Sequence, residues 1–371
     1  MNILHITNGF VGSKLYRNFF LELSALKQNQ TVIAPIRTNK QNGINNITNG
    51  IEVIYLKIVT SNIYRVIFFL KIKKTVKLIN QNIKISNFDF IHAHTLFSDG
   101  AVAYQYNKPY IVTIRNTDIN TFFKYLFFLR KYGIKILVKA NYIVFLSPSY
   151  KKRLFDNYIP SKYKTQLLEK SFIIPNGIDS FWLNNIHNQK KILSKKIHLL
   201  FTGEIRKNKN IHGIIDAIDK LRQHNIELTI VGEGLNDEIT YLKELKDRIK
   251  HTENINLKLA VPKEELIKYY RKAHIFITPS FTESFGLVYA EALSQGLPII
   301  YSKDEGFDHI FPDAFVGQAV NPRSSENIAN AIDRIIQNYP NYQKNCVKAA
   351  NKFSWKRISE VYLQKYLTMH N

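Results

Sequence analysis

One cysteine, Cys346, is all that the 371 residues contain. An internal disulfide is therefore excluded, and so is a metal site built on several thiolates. No Asp-x-Asp pair occurs either, so no metal is expected. Long apolar runs are missing too. The clusters VIFFL at 66–70 and YLFFL at 125–129 fall far short of the ~20 residues that a membrane-spanning helix requires. The chain opens with MNILHIT, which reads as a first strand and lacks the basic, apolar and small-residue order of a secretory leader. A single thiol and no leader fit a reducing, cytoplasmic setting. The dinucleotide fingerprint Gly-x-Gly-x-x-Gly is absent as well.

Acids are scarce, and unevenly so. Through residue 178 there are 25 Lys+Arg against 7 Asp+Glu, a net charge of +18, whereas the remainder has 27 against 22, a net of +5. A general lysine enrichment would raise lysine everywhere. Here the lysines are similar in both parts and the acids are missing from the first. Such a field attracts anions: phosphate groups, nucleic acid or an anionic membrane surface.

What is present is the composition of a folded globular protein, 45% hydrophobic and 22% charged. The length suits two domains. Short apolar runs fall at 2–6, 31–35, 51–57, 88–92, 109–114 and 141–146. A second series falls at 197–202, 226–231, 254–259, 274–278, 298–301 and 315–320. They lack clean alternation, as strands buried on both faces do. Helical periodicity separates them. In 211–221 the residues Ile211, Ile214, Ile215, Ile218 and Leu221 share one face. Strand–helix alternation predicts α/β layers with parallel sheets. Two series, joined near PNGIDSFWLNN at 175–185, predict two Rossmann-like domains facing across a cleft. The expected division is an acceptor-side domain over 1–176 and a donor domain over 177–352, with a last helix (353–371) returning to the first. Ligands of such sheets bind outside the carboxyl ends of the strands.

The stretch FTESFGLVYAEALSQGLPII at 281–300 places Glu283 and Glu291 either side of an apolar run. A helix from about Phe285 to Gln295 is predicted, with Gly296 as its C-cap and Pro298 barring continuation. Eight residues of continuous helix turn through about 800°, so both carboxylates can face one cavity. Gly286 and Leu287 would present unpaired amides at the helix start, where a phosphate fits. A diphosphate there, with a carboxylate accepting from hydroxyls on each side, describes a nucleotide sugar. Taken alone, the pair is equally a first-turn glutamate favouring the dipole and a solvated mid-helix glutamate.

Residues 275–311 as a whole resemble the retaining glycosyltransferases of the GT-B fold, in the glycosyl transferases group 1 family, whose Glu-x7-Glu signature is here Glu283-Ser-Phe-Gly-Leu-Val-Tyr-Ala-Glu291. The resemblance implies that Glu283 contacts donor-sugar hydroxyls, that Glu291 binds the ribose, and that the Gly286 and Leu287 amides hold the distal phosphate, with Ser284 and Phe285 also among the donor-binding residues. FIIPNGID at 172–179 is similar to the family's interdomain segment. HLLFTGEIRKNKNIHGII at 198–215 is similar to its phosphate loop. That loop supplies Gly203 and Lys209. Arginine often follows the glycine in the family, where this chain has Glu204, so Arg206 is the substitute cation. Val261 would lie against the base.

In the first domain, HITNGFVGSKLYRNFF at 5–20 places Gly9 and Gly12 after the first strand, near the donor. FIHAHTLFSDGAVA at 90–103 offers His94, on the loop side, as the better cleft candidate, while His92 is as readily a packed strand residue as a cleft residue. The run Arg115-Asn-Thr-Asp118 stands where the family often has a donor-contacting histidine, and resembles a variant of bacterial polysaccharide transferases. Arginine cannot titrate as a base near neutrality. Arg115 is therefore expected to act as a charge clamp or hydroxyl donor, with Asp118 as partner. A structural Arg115–Asp118 ion pair is the alternative.

Two stretches, 62–79 and 120–140, mix aromatic and aliphatic residues with lysine and arginine at helical intervals. They suit either core-facing helices with snorkelling lysines or helices lying on an anionic membrane. The resemblance implies metal-independent transfer of a sugar, with retention, from a nucleotide-diphosphate sugar (UDP favoured over GDP) to a glycan or lipid-diphosphate-linked acceptor. The setting would be cell-surface polysaccharide synthesis at the inner face of the membrane. The alternatives are a GT-B-like sugar-nucleotide epimerase or sugar-phosphate synthase, and a basic nucleic-acid-binding protein, for which no motif is present.

Overall fold

A computed structural model describes residues 1–47, 50–58, 67–234, 238–250 and 252–370, the side chain of His370 excepted. It contains two units, one formed by Met1–Gly177 with Trp355–Asn371 and the other by Ile178–Ser354. Among the described residues, all thirteen strands run parallel to their neighbours.

The first unit has β1 (Asn2–Ile6), β2 (Asn29–Ile36), β3 (Ile51–Lys57), β4 (Phe90–Ala93), β5 (Tyr110–Ile114), β6 (Tyr142–Phe145) and β7 (Ser171–Ile173), in the spatial order β3-β2-β1-β4-β5-β6-β7. The second has β8 (Lys196–Thr202), β9 (Asn225–Val231), β10 (Ile255–Lys258), β11 (Ile275–Ile277), β12 (Ile299–Ser302) and β13 (Gly317–Val320), ordered β10-β9-β8-β11-β12-β13. In each sheet the order reverses once, at β1/β4 and at β8/β11. Neighbouring loops diverge there and leave a crevice at the carboxyl edge.

Both sheets are covered on both faces, which explains the absence of alternation in their strands. Every residue of β5, YIVTI, is buried. In β1, Leu4 and Ile6 enter one core while Ile3 enters the other. The second of these cores is closed by the helix Leu15–Ala25 and the final helix Trp355–His370, through Phe19, Phe20, Trp355, Tyr362 and Tyr366. In the second unit the helix Ile211–Ile218 buries Ile211, Ile214, Ile215 and Ile218, and Leu221 follows it into the same core.

Three local differences from the sequence reading have physical causes. Strand β7 was not foreseen, because three residues between two helices carry too short a period to register; it pairs Ser171 to Ile143 at the sheet edge. The stretch 120–140 is not one helix: turns over Asp118–Phe123 and Phe127–Leu129 precede the α-helix Arg130–Lys139. In 62–79 the helix is Phe68–Asn82, and 62–66 lie outside the described residues. Among the described residues no helix is long and apolar enough to cross a membrane.

The final helix is fastened by more than apolar area. The Tyr366 hydroxyl lies 2.7 Å from His92 Nδ1, and Thr113 Oγ1 lies 3.0 Å from the other ring nitrogen, all buried beneath the sheet. Tyr366→Phe removes one partner from a buried ring nitrogen, at a cost of about 1–3 kcal/mol. The urea midpoint of the first unit should fall accordingly, and an unchanged midpoint would show that this contact contributes nothing.

Candidate functional site

The second unit's crevice lies between the loop after β8 and the loop after β11. Gly203 opens the first loop with φ of +140°, and its N–H donates to Val231 O at 3.1 Å. A Cβ on neighbouring Gly232 would stand 1.9 Å from Gly203 O, so the two backbones meet directly. The loop then turns through Asn210, left-handed at φ of +56°. Asparagine tolerates that region better than most residues, and here its Nδ2 also donates to Pro279 O and Pro322 O, at 3.2 and 2.6 Å.

Asn208 laces the two loops together. Its backbone oxygen accepts from Phe281 N–H at 2.8 Å, and its side-chain oxygen accepts from the Thr282 N–H and hydroxyl at 3.1 and 2.8 Å. Its Nδ2 donates to Thr282 O at 2.9 Å. Lys209 is thereby aimed across the gap, with Nζ 2.7 Å from Glu283 Oε2 and both side chains largely buried. Glu305 accepts from the Glu283 N–H at 2.8 Å, while Glu283 O accepts from the Gly306 N–H at 2.9 Å. The loop after β11 is thus held on two sides.

The helix begins at Leu287 and runs to Ser294, not from Phe285 as predicted. Glu283 therefore lies off the helix, and the eight-residue rotation does not place it; the lacing of the loops does. Phe285 is anchored by its ring against Phe307 and Phe353, which leaves only its backbone for a ligand. Gly286 is the N-cap at φ of +78°. A Cβ there would meet the Tyr289 ring at 2.3 Å and Glu283 Cγ at 3.2 Å. Glycine is required by handedness and by crowding together. Among the described residues, the N–H groups of Gly286, Leu287 and Val288 donate to no group of the chain. Gly296, at φ of +71°, ends the helix as predicted.

Glu291 lies farther along the same helix, against Tyr270. The Tyr270 hydroxyl donates to its Oε2 at 3.3 Å, and Tyr270 also meets Thr202 Oγ1 at 2.9 Å and the Trp182 ring. Burial pushes its carboxyl up to about 7, against the lowering effect of the Tyr270 hydrogen bond. Asp179 caps the helix Ser180–Asn184 and accepts from Lys263 Nζ at 2.7 Å; it raises the Glu291 carboxyl further while Lys263 opposes it. Arg206 turns to acids of its own, with Nη1 3.2 Å from Glu204 and Nε 3.7 Å from Glu238. Val261 lies on the loop between β10 and the helix Lys263–Lys272.

In the first unit, Gly9 and Gly12 flank a short turn after β1, on the wall of a cavity of about 380 Å³ that also holds Arg37 and Lys71. The sequence distinction between the histidines does not survive. His94 is as deeply buried as His92, with Nε2 3.2 Å from His5 Nδ1 and aromatic rings around it. Burial, then the neighbouring His92, His5 and Arg115, lower its pKa well below the usual histidine range, so it stays neutral. His94 is therefore corrected from a cleft residue to a core residue. Its ring nitrogens, with those of His5 and His92, lie close enough to hold a metal ion, but His92 already meets Tyr366 and Thr113.

Asp118 is corrected likewise. It is buried and accepts from the backbone N–H groups of Leu96, Phe97 and Arg115 at 3.0, 3.1 and 2.8 Å. It closes the crevice loops of β4 and β5 by main-chain bonds, not through the Arg115 guanidinium. That guanidinium donates to His94 O at 3.1 Å and Asn176 Oδ1 at 3.2 Å, and lies over the Tyr16 ring. Asp99, which accepts from Asn8 N–H at 3.1 Å, was missed. So were Asn208 and Glu305; Glu305 binds a residue 22 positions away, a partner that no local pattern announces. Gly286→Ala should shift the helix start and weaken phosphate binding at least tenfold, seen as loss of nucleotide-induced thermal stabilisation in a variant that still folds. Unaltered binding would show that the amides are not the ligand site.

Residues 184–353 match the family model of glycosyl transferases group 1, and residues 15–180 match that of Glycosyltransferase Family 4. An uncharacterised glycosyltransferase of Methanocaldococcus jannaschii is 25% identical over 312 residues, covering 76% of each chain. Among solved structures, sucrose-phosphate synthase from Thermosynechococcus elongatus superposes with a TM-score of 0.78 at 19% identity, covering 100% of this chain and 99% of its own. Anabaena HepE, solved in complex with UDP and glucose, superposes with a TM-score of 0.71 at 15% identity, covering 99% of this chain and 100% of its own.

Proposed function

We propose that this chain of GT-B fold, whose two parts match the group 1 and Family 4 glycosyltransferase models, is a glycosyltransferase that moves a sugar from a nucleotide-diphosphate sugar to a hydroxyl acceptor with retention and without a metal. The observation that carries this reading is the Lys209–Glu283 pair at 2.7 Å beside the unpaired amides of Gly286, Leu287 and Val288. A diphosphate needs cation and N–H donors, and its sugar needs an acceptor oxygen within a few ångströms. This crevice supplies all three.

In the proposed reaction the diphosphate binds the helix start, with Leu287 and Val288 donating along the helix dipole. A phosphate oxygen competes with Glu283 for Lys209. The lysine then neutralises charge as the glycosidic C–O bond breaks, and Glu283 turns its oxygens to the sugar hydroxyls. The acceptor hydroxyl attacks from the face that the diphosphate leaves. Its proton passes to the departing phosphate oxygen, so no protein carboxylate need become a covalent nucleophile. Arg115, permanently charged, serves as a hydroxyl donor or charge clamp and never as a base. Glu291 accepts from the ribose hydroxyls. A UDP donor is favoured over GDP; the HepE complex with UDP and glucose supports that choice. The Arg115-Asn-Thr-Asp118 run supports a glycan or lipid-diphosphate-linked acceptor of polysaccharide synthesis.

A thermal-shift panel of UDP, GDP, ADP and their sugars is the test, run on the wild-type chain and on Glu291→Ala. Stabilisation by UDP and UDP-sugars, lost in the variant, is expected; no shift with any nucleotide would sink the donor assignment. Glu283→Gln keeps size but weakens both the lysine contact and hydroxyl acceptance. Turnover should fall by about 10²-fold or more, with nucleotide affinity changed far less.

The raised Glu291 carboxyl adds a pH signature. The free protein holds this proton near neutrality, whereas ribose hydroxyls require the carboxylate as acceptor. Nucleotide binding should therefore release a proton and tighten as pH rises through about 7. Calorimetry in buffers of different ionisation enthalpy reads that proton, and its persistence in Glu291→Gln would assign it elsewhere.

A further inference from the structure

Charge in the molecule belongs to the first unit, which has 28 Lys+Arg against 8 Asp+Glu while the second has 24 against 21. Within the first unit, two strongly basic segments hold no acid. From Ile67 to Phe88 and from Ile119 to Phe155 there are 13 Lys+Arg and no Asp or Glu. Among the described residues, the same two segments carry the most exposed aromatic side chains: Phe127 at 71%, Phe128 at 64%, Tyr125 at 63% and Phe69 at 49%. A soluble surface normally keeps such rings covered.

These features share one helix and its approach. Tyr125, Phe127 and Phe128 lie just before the helix Arg130–Lys139, with the Lys124 ammonium over the Tyr125 ring. Phe69 packs edge-on to Tyr132 of that helix, 5.2 Å between ring centroids, so the second segment joins the first. Along the helix Lys131, Lys135 and Lys139 recur at four-residue intervals and share a face. They border a groove of about 570 Å³ whose walls include Tyr104, Val138, Pro160 and Tyr163. Among the described residues neither Lys131 nor Lys135 pairs with an acid.

We infer that this face docks on an anionic lipid surface, with Tyr125, Phe127 and Phe128 entering the headgroup layer and the Lys131–Lys135–Lys139 ladder lying against lipid phosphates. Aromatic rings suit the boundary between headgroup and acyl chain, and each nearby lysine gains from the negative surface potential. Charge complementarity selects the partner. A neutral protein surface would cover the rings but leave the lysines unanswered. A nucleic-acid strand would answer the lysines, but it stacks on ring faces within a groove, whereas these rings stand exposed at a short turn. The inference does not depend on the donor site.

Co-sedimentation of the full chain with two vesicle types tests it: phosphatidylcholine alone, and phosphatidylcholine with about one third phosphatidylglycerol. At least tenfold tighter binding to the anionic vesicles is expected, weakening with salt. Two variants should each lose about tenfold or more: Tyr125→Ser/Phe127→Ser/Phe128→Ser and Lys131→Glu/Lys135→Glu. Phe128→Trp provides an independent reading, because the chain's two tryptophans, Trp182 and Trp355, are both buried. Its emission should shift to the blue on anionic vesicles only. Equal binding to both vesicle types, undiminished binding by the variants, or an unshifted Phe128→Trp signal would overturn the inference. So would a single-stranded oligonucleotide that binds this face more tightly than the vesicles, or a dimer that the serine variant dissolves. UDP-induced stabilisation should be the same in every variant, which keeps a failure here separate from a failure of the donor reading.

Discussion

One backbone conformation governs the crevice of the second unit: the left-handed turn at Gly286. Because the chain reverses there, the helix Leu287–Ser294 starts abruptly, and its first N–H groups point out with no preceding carbonyl to bond. The loop leading into the turn would not hold this shape by itself. Asn208, Glu305 and Gly306 bind it from two sides, and Phe285 pins it from below. The Lys209–Glu283 pair is a consequence of that bracing, since neither long side chain would otherwise be confined to 2.7 Å from the other. A largely buried ion pair is costly to create. It makes chemical sense under the proposed reaction, in which a phosphate oxygen replaces Glu283 as the anionic partner of the lysine.

The first unit solves a different problem. It carries most of the positive charge yet buries three histidines side by side, and it keeps them neutral by excluding water. Two buried carboxylates, Asp99 and Asp118, close the loops at the same sheet edge by accepting backbone N–H groups. Arg115 is then the charged group at that edge, steadied by His94 O, Asn176 and the Tyr16 ring. An arginine so positioned provides a fixed charge that no pH near neutrality removes. The excess lysines lie elsewhere, on surfaces suited to meeting a much larger anion.

Patterns of short range were legible in the amino acids. The strands from β1 to β6 and from β8 to β13, the strand–helix alternation and the Gly296 helix stop all follow from periodicity and from backbone preferences of single residues. The candidate donor residues were legible by resemblance, because their spacing is a property of consecutive positions. What escaped were relations across the chain. Whether His94 or His92 faces solvent depends on rings from three other elements, and whether Asp118 meets a guanidinium or backbone amides depends on where β4 ends. The break in 120–140 escaped because apolar residues keep helical spacing through turns as well as through helices.

The amino acids by themselves determined a parallel α/β chain, an acid-poor first half, and a glycine that can take the conformation required at 286. Only the folded molecule decided that residues 209 and 283, far apart in sequence, share one crevice. It also decided that the Glu291 carboxyl is held near neutrality by its surroundings. The reason is physical: propensity and periodicity act over a few residues, whereas burial, charge pairing and the fate of each backbone N–H are set by whatever the fold brings alongside.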